Sequence, residues 1–211
     1  MSLSRRHVVV GGVGAVVSLG GTAHAGTRRA RTVWIAGDST AAQKYAPAAP
    51  ETGWGTALPF LLGRGLAVAN HAVIGRSSKS FVDEGRLDAL LAGVRPGDLL
   101  IVQFAHNDEM PDDPSRYTEP WTTYQRYLRL YLDGARARGA RPVLATPVER
   151  RRFDADGRAV PSHGEYPEAM RALARQERIR RVEGPARWRA RGAGLGPGGS
   201  PGVWALSPTP D

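Results

Sequence analysis

The chain has no cysteine, which excludes disulfides and thiolate metal sites, and no short-spaced cluster of histidines and carboxylates offers another way to hold a metal. Lysine is nearly absent, with Lys44 and Lys79 alone among 29 basic residues. A long apolar run is missing too. The one near the N-terminus, Val8 to Leu19, is shorter than the roughly 20 residues that span a bilayer and is diluted by glycine. The formal charge of +9 would suit a polyanionic partner, but its placement argues against a basic face built into the fold. Residues 32–177 hold 18 basic and 18 acidic side chains, so the excess lies at the two ends. Nucleic acid is therefore not an expected partner. Abundant Arg, Ala, Gly and Pro read as GC-rich coding rather than phosphate binding.

What is present begins with an address. Arg5-Arg6 precedes the short apolar run, and Ala23-His24-Ala25 offers small residues for cleavage. Residues 1–25 therefore read as a twin-arginine-type signal peptide. This predicts handling by the twin-arginine export machinery, a periplasmic or extracellular location and no stable membrane anchor. Export without cysteine is consistent, because nothing needs oxidising.

The following chain alternates between two periodicities. Residues 32–38, 66–75, 98–108 and 140–148 are short apolar runs that end in polar turns, as buried strands do. Between them lie helical stripes: Trp54, Leu58, Leu61 and Leu62; Leu87, Leu90, Leu91 and Val94; Tyr166, Met170 and Leu173. The strongest stripe is Trp121, Tyr124, Leu128, Tyr131, Leu132 and Ala135, with Thr118 as the expected cap and Pro120 in the first turn. The alternation predicts an α/β fold with a parallel sheet covered on both faces. In such folds sites form at the carboxyl ends of strands.

Polar groups gather at those ends. They are Asp38-Ser39-Thr40, Gly75-Arg76-Ser77-Ser78, His106-Asn107-Asp108 and Thr146 to Arg150. Turn chemistry alone accounts for any one of them; their coincidence at successive strand ends points further. A serine just past a buried strand and at the start of a helix has an exposed hydroxyl and a free backbone N–H, which suits acyl transfer. The N–H groups of Ser39 and Gly75 and the side-chain amide of Asn107 are candidate donors to the developing oxyanion. Asp38 is an alternative nucleophile for phosphotransfer, but Thr40 stands where a second acid is wanted.

"GDST" at 37–40, "GRSSKSF" at 75–81 and "QFAHND" at 103–108 resemble the first three blocks of the SGNH (GDSL-type) hydrolases. "GWG" at 53–55 and "TPVERRRF" at 146–153 make the chain similar to the rhamnogalacturonan acetylesterase-like branch, over roughly residues 32–177. The resemblance implies a three-layer α/β/α sandwich with a flavodoxin-like parallel sheet, Ser39 as nucleophile, and Gly75 and Asn107 as oxyanion donors. It also implies a secreted carbohydrate O-acetylesterase, acting on acetylated polysaccharide of the pectin type without a cofactor. Ala105 departs from the pattern, which has glycine there.

The family's fourth block, Asp-x-x-His, is absent. The histidines are His7, His24, His71, His106 and His163, and none follows an aspartate by three positions. His71 reads as a packed or edge residue, His106 as support for the third block, and His163 as a loop residue able to face the cleft. Residues 178–211 hold six arginines and twelve Gly or Pro, the composition of disorder or of GC-rich DNA read out of frame. The expected organisation is thus a signal at 1–25, an incomplete hydrolase domain at 26–177 and an aberrant tail at 178–211, with the last strand and closing helix missing. Impaired esterase activity follows. An inactive carbohydrate-binding or structural module of the same fold is the alternative.

Overall fold

The computed structural model describes residues 30–45, 51–63, 65–150, 152–156 and 160–183. The expected signal segment, the closing helix and most of the tail lie outside them. Five strands form one sheet: β1 (Arg31–Gly37), β2 (Leu66–Asn70), β3 (Leu99–Gln103), β4 (Arg141–Ala145) and β5 (Arg180–Val182). All pairings are parallel and the spatial order is β2-β1-β3-β4-β5. Five helices connect them: α1 (Trp54–Ala57), α2 (Ser78–Asp83), α3 (Arg86–Gly93), α4 (Gln125–Ala137) and α5 (Tyr166–Gln176). In this doubly wound order β1 leads to β2 on one side and β3 leads to β4 on the other, which opens a crevice at the carboxyl ends of β1 and β3.

Period-2 alternation assigns the two faces of the sheet. Ala36, Leu100, Val102 and Leu144 point into the larger core, with Leu90 of α3, Leu128, Tyr131 and Leu132 of α4, and Met170 and Leu173 of α5. Phe81, Phe104 and Tyr131 meet at its centre, with ring centroids 5.5–6.0 Å apart. Val33 and Ile35 point the other way, against Trp54, Leu58 and Leu62. That second face is the thinner layer. Leu99, Ile101 and Val143 on it are only half buried among the described residues.

Three expectations are corrected here. The last strand is not missing, because β5 pairs with β4 in register Val143↔Arg180 to Ala145↔Val182. It carries no apolar run because it lies at the exposed edge, where backbone bonds such as Thr146 N–H to Val182 O (3.0 Å) hold it. The sheet thus runs past Glu177. Next, Leu61 lies outside its stripe, 80% exposed, since α1 tightens into a 3-10 turn over Leu58–Phe60 at Pro59 and rotates it outward. Finally, Thr118 does not cap the long helix. A π turn over Pro120–Tyr124 precedes α4, Glu119 N–H donates to Thr123 Oγ1 (2.7 Å), and Trp121 is turned out to solvent.

Candidate active site

Ser39 sits in a single tight turn, not at the start of a helix. Ala41 N–H and Ala42 N–H both donate to Asp38 O, at 3.2 and 3.0 Å. Segment 53–55 braces this turn from below. Gly53 N–H donates to Ala42 O (2.9 Å), Trp54 N–H to Thr40 O (3.0 Å), and the Trp54 indole to Gln103 Oε1. A methyl group on Gly53 would stand 2.2 Å from Ala42 O, so only glycine lets the two backbones approach this closely. This is the physical content of the GWG motif. Ser39 itself is nearly buried and makes no hydrogen bond among the described residues.

The other two candidates share this edge of the sheet. β1 ends at Gly37, paired in register with Gln103 of β3, while Val73 N–H, beyond β2, donates to Gly37 O (3.0 Å). Ser39, Gly75 and Asn107 are therefore each a few residues beyond one line across the strands. Direct contacts tie the blocks together. His106 Nδ1 lies 3.5 Å from Asp38 Oδ2, and Asn107 Nδ2 donates to Arg76 O (3.0 Å). The Asn107 amide is oriented from its other side by Arg116 Nη1, which donates to Oδ1 (3.2 Å).

Gly75 is glycine for its backbone. Its φ is +76°, in the left-handed region, and a Cβ there would meet nothing within 4 Å. Gly75→Ala is therefore expected to cost about 1 kcal/mol, from the backbone alone and not from a clash. A thermal melt checks this; no change in Tm would refute it. Ala105 needs no such freedom. Its methyl is buried in the larger core and its φ is not positive, so the departure from glycine is accommodated.

Sequence reading missed α2 and the residue that anchors it. Ser77 caps α2 in a reciprocal box with Ser80 (Ser80 N–H to Ser77 Oγ, 3.1 Å; Ser77 N–H to Ser80 Oγ, 2.9 Å). The Ser-x-x-Ser spacing was the available signal. Asp108 holds the start of α2. It accepts from Ser78 N–H (3.1 Å), Ser78 Oγ and Thr118 Oγ1 (3.0 Å), all buried. Burial pushes its carboxyl up to about 7, the hydrogen bonds notwithstanding.

Asp38 and the histidines form a sealed polar layer under the turn. Asp38 is fully buried and accepts from Thr40 N–H (2.9 Å) and Thr40 Oγ1 (2.7 Å). Burial pushes its carboxyl up, but the His106 ring and the Thr40 donors outweigh this and hold it below the usual range. An aspartate so enclosed is a support, not a nucleophile, which removes the phosphotransfer reading. His106 packs edge-on against His163, 4.3 Å between centroids, and burial keeps its pKa below the ordinary value. His71 is packed against Trp34, as expected.

His163 does not face the cleft. It is buried, with Nε2–H donating to Val148 O (2.7 Å) and Nδ1 facing Arg150 Nη1 (3.4 Å) and Glu109 Oε2 (3.2 Å). Arg150 also pairs with Glu109 and donates to His106 O (3.2 Å), so it ties the 146–153 motif to the third block. Burial, with Arg150 nearby, pulls the His163 pKa down from 6.5 to about 4. The folded state thus refuses a proton that the unfolded chain accepts. The resulting stability is present above pH 6.5 and lost as pH falls toward 4. His163→Gln is expected to flatten that loss, measured as urea midpoints between pH 7 and 4. An unchanged slope would contradict the assignment.

Together the doubly wound sheet, the serine in its crevice and the flanking glycine and asparagine define an α/β protein of the serine-hydrolase type. The chain belongs to the GDSL-like Lipase/Acylhydrolase family, whose model matches residues 35–201. It is 47% identical over 144 residues to the rhamnogalacturonan acetylesterase RhgT of Bacillus subtilis (strain 168), across 68% of this chain and 60% of RhgT. It is 43% identical over 154 residues to the probable rhamnogalacturonan acetylesterase YesY of the same organism, across 73% of this chain and 70% of YesY. The crystal structure of Bacillus subtilis YxiM superposes with a TM-score of 0.73 at 28% identity, covering 82% of this chain and 49% of that one. Axe2, an acetylxylan esterase from Geobacillus stearothermophilus, shares the fold at 15% identity, with a TM-score of 0.60 over 79% of this chain and 82% of its own. The chain thus spans about 60% of the length of RhgT.

Proposed function

We propose that this chain carries the nucleophile and oxyanion hole of an exported carbohydrate O-acetylesterase acting on acetylated polysaccharide, with its general base wanting. The observation that supports this most is the clustering of Ser39, Gly75 and Asn107 at one switch point, joined by the Asp38–His106 and Asn107–Arg76 contacts. In the reaction, Ser39 Oγ attacks the acetyl carbonyl and its proton passes to a base. The oxyanion that forms is met by the Ser39 and Gly75 N–H groups and the Asn107 amide. The sugar oxygen then leaves with a proton, and water releases acetate from Ser39. Neither His106 nor His163 is placed to take the serine proton, since both are buried in the polar layer and neither bonds Ser39. The names of RhgT and YesY support a rhamnogalacturonan substrate for this chain. Export through the twin-arginine route rests on Arg5-Arg6 and the Ala23–Ala25 site.

The test is acetate release from acetylated pectin fragments by wild type and Ser39→Ala, with imidazole supplied as base. Release that needs Ser39 supports the esterase. Equal rates from the two proteins would sink it. The unpartnered Ser39 also favours a second reading, an inactive carbohydrate-binding module. That reading predicts saturable binding of the same fragments with no acetate release under any condition.

A further inference from the structure

A parallel sheet is stable with cover on both faces, and the thinner face of this one is covered over β1 and β2 alone. There Trp54, Leu58 and Leu62 sit on Val33, Ile35 and Val68. The helices α2 to α5 all pack into the larger core on the opposite face. The register Ile101↔Val143 and Ala145↔Val182 carries the thinner face on across β3, β4 and β5. On that stretch Leu99, Ile101 and Val143 are half buried and Val182 is 53% exposed. The charges on the face have one sign. Arg31 stands in register with Leu66, Arg141 with Leu99 and Arg180 with Val143, so these exposed arginines share it. No strand residue of the face is acidic. None of the three arginines has a carboxylate partner among the described residues.

The size of the uncovered stretch fits one helix. From β3 to β5 is two strand spacings, about 10 Å, close to the diameter of a helix with its side chains. The five-residue strands β3 and β4 run about 16 Å, the length of a helix of about 11 residues. Charge decides whose helix it is. Residues 1–29 hold no acid at all. Residues 184–211 hold Asp211 against three arginines, with twelve Gly or Pro that disfavour a helix. A second copy docked about a two-fold axis would set the same arginines against one another. We propose that this face docks an acidic amphipathic helix of a partner protein. Its apolar stripe would seat on Leu99, Ile101 and Val143, and carboxylates on its flanks would meet Arg31, Arg141 and Arg180. The inference is independent of the esterase reading, because it uses no residue assigned to the reaction.

The experiment is fluorescence anisotropy of a labelled synthetic peptide of about 18 residues, long enough to be helical in isolation, titrated with the full 211-residue chain. One peptide has a leucine stripe flanked by glutamates. A second has the same stripe flanked by lysines, and a third scrambles the first. The glutamate peptide is expected to bind about tenfold or more tighter than either control, with the gap to the lysine peptide narrowing as salt rises. Arg141→Glu combined with Arg180→Glu should remove or reverse the preference for glutamate over lysine, with a melting curve matching the parent, since both side chains are exposed. Equal binding of the glutamate peptide and either control, or a preference that survives the double substitution, overturns the proposal. So does no binding, the result if the chain's own ends fill the face. A dimer in sedimentation velocity that Val182→Asp dissolves gives the face to a second copy and overturns it too. The comparison of peptides needs no variant of the chain, so misfolding cannot mask it.

Discussion

Supplying imidazole to this chain is expected to raise p-nitrophenyl acetate turnover by about a hundredfold or more, the low end of what a positioned general base contributes. Ser39→Ala should show none of that gain. Ser39 makes no hydrogen bond among the described residues, and no Asp-x-x-His occurs in the 211 residues to supply one. A serine hydroxyl with no base is a poor nucleophile at neutral pH, and an oxyanion hole alone leaves only residual catalysis. Without imidazole, Ser39→Ala should therefore cost little, since groups of a catalytic unit are not additive once one is gone. A large loss on Ser39→Ala in plain buffer would reveal another residue acting as base. The gain is read after subtracting the reaction of imidazole with the ester in the absence of protein.

Asp108→Ala is expected to cost about 3 kcal/mol near pH 5. It strands the Ser78 N–H, the Ser78 hydroxyl and the Thr118 hydroxyl, all buried, at about 1–3 kcal/mol for each unsatisfied group before relaxation. The cost depends on pH in a definite direction. Asp108 titrates at about 7 in the fold against 3.8 as the ordinary value. The folded state therefore keeps a proton that the unfolded chain releases, and raising pH from 4 through 7 withdraws stability. The penalty of the substitution should be larger at pH 5 than at pH 8. Urea unfolding of both proteins at the two pH values checks the sign, and a penalty that grows with pH would refute it. Asp108→Ala should also loosen the start of α2.

The sheet was legible because its strands are either buried on both faces or nearly so, and such strands write themselves as apolar runs. β2, β3 and β4 fall inside the expected segments, and β1 begins one residue before its own. The stripes of α3 and α5 were legible too, since Leu87, Leu90, Leu91, Met170 and Leu173 are all buried. β5 was not, because an exposed edge strand held by backbone bonds leaves no side-chain pattern. The turning of Leu61 and Trp121 to solvent was hidden for a related reason. A 3-10 turn and a π turn change the angle per residue, and a stripe drawn at 3.6 residues per turn cannot register that.

The ordered set Ser39, Gly75 and Asn107 and the lack of an Asp-x-x-His among the 211 residues are legible without a fold, because residue identity and spacing are linear facts. Tertiary structure decided what the neighbouring groups do. Asp38, His106 and His163 have the chemistry of nucleophile and base, yet burial and mutual contacts make them a support layer. Arg76 and Arg116 are 40 residues apart with no motif to link them, yet folding brings both to Asn107. Burial and long-range proximity depend on how the whole chain packs, so no local pattern could carry them.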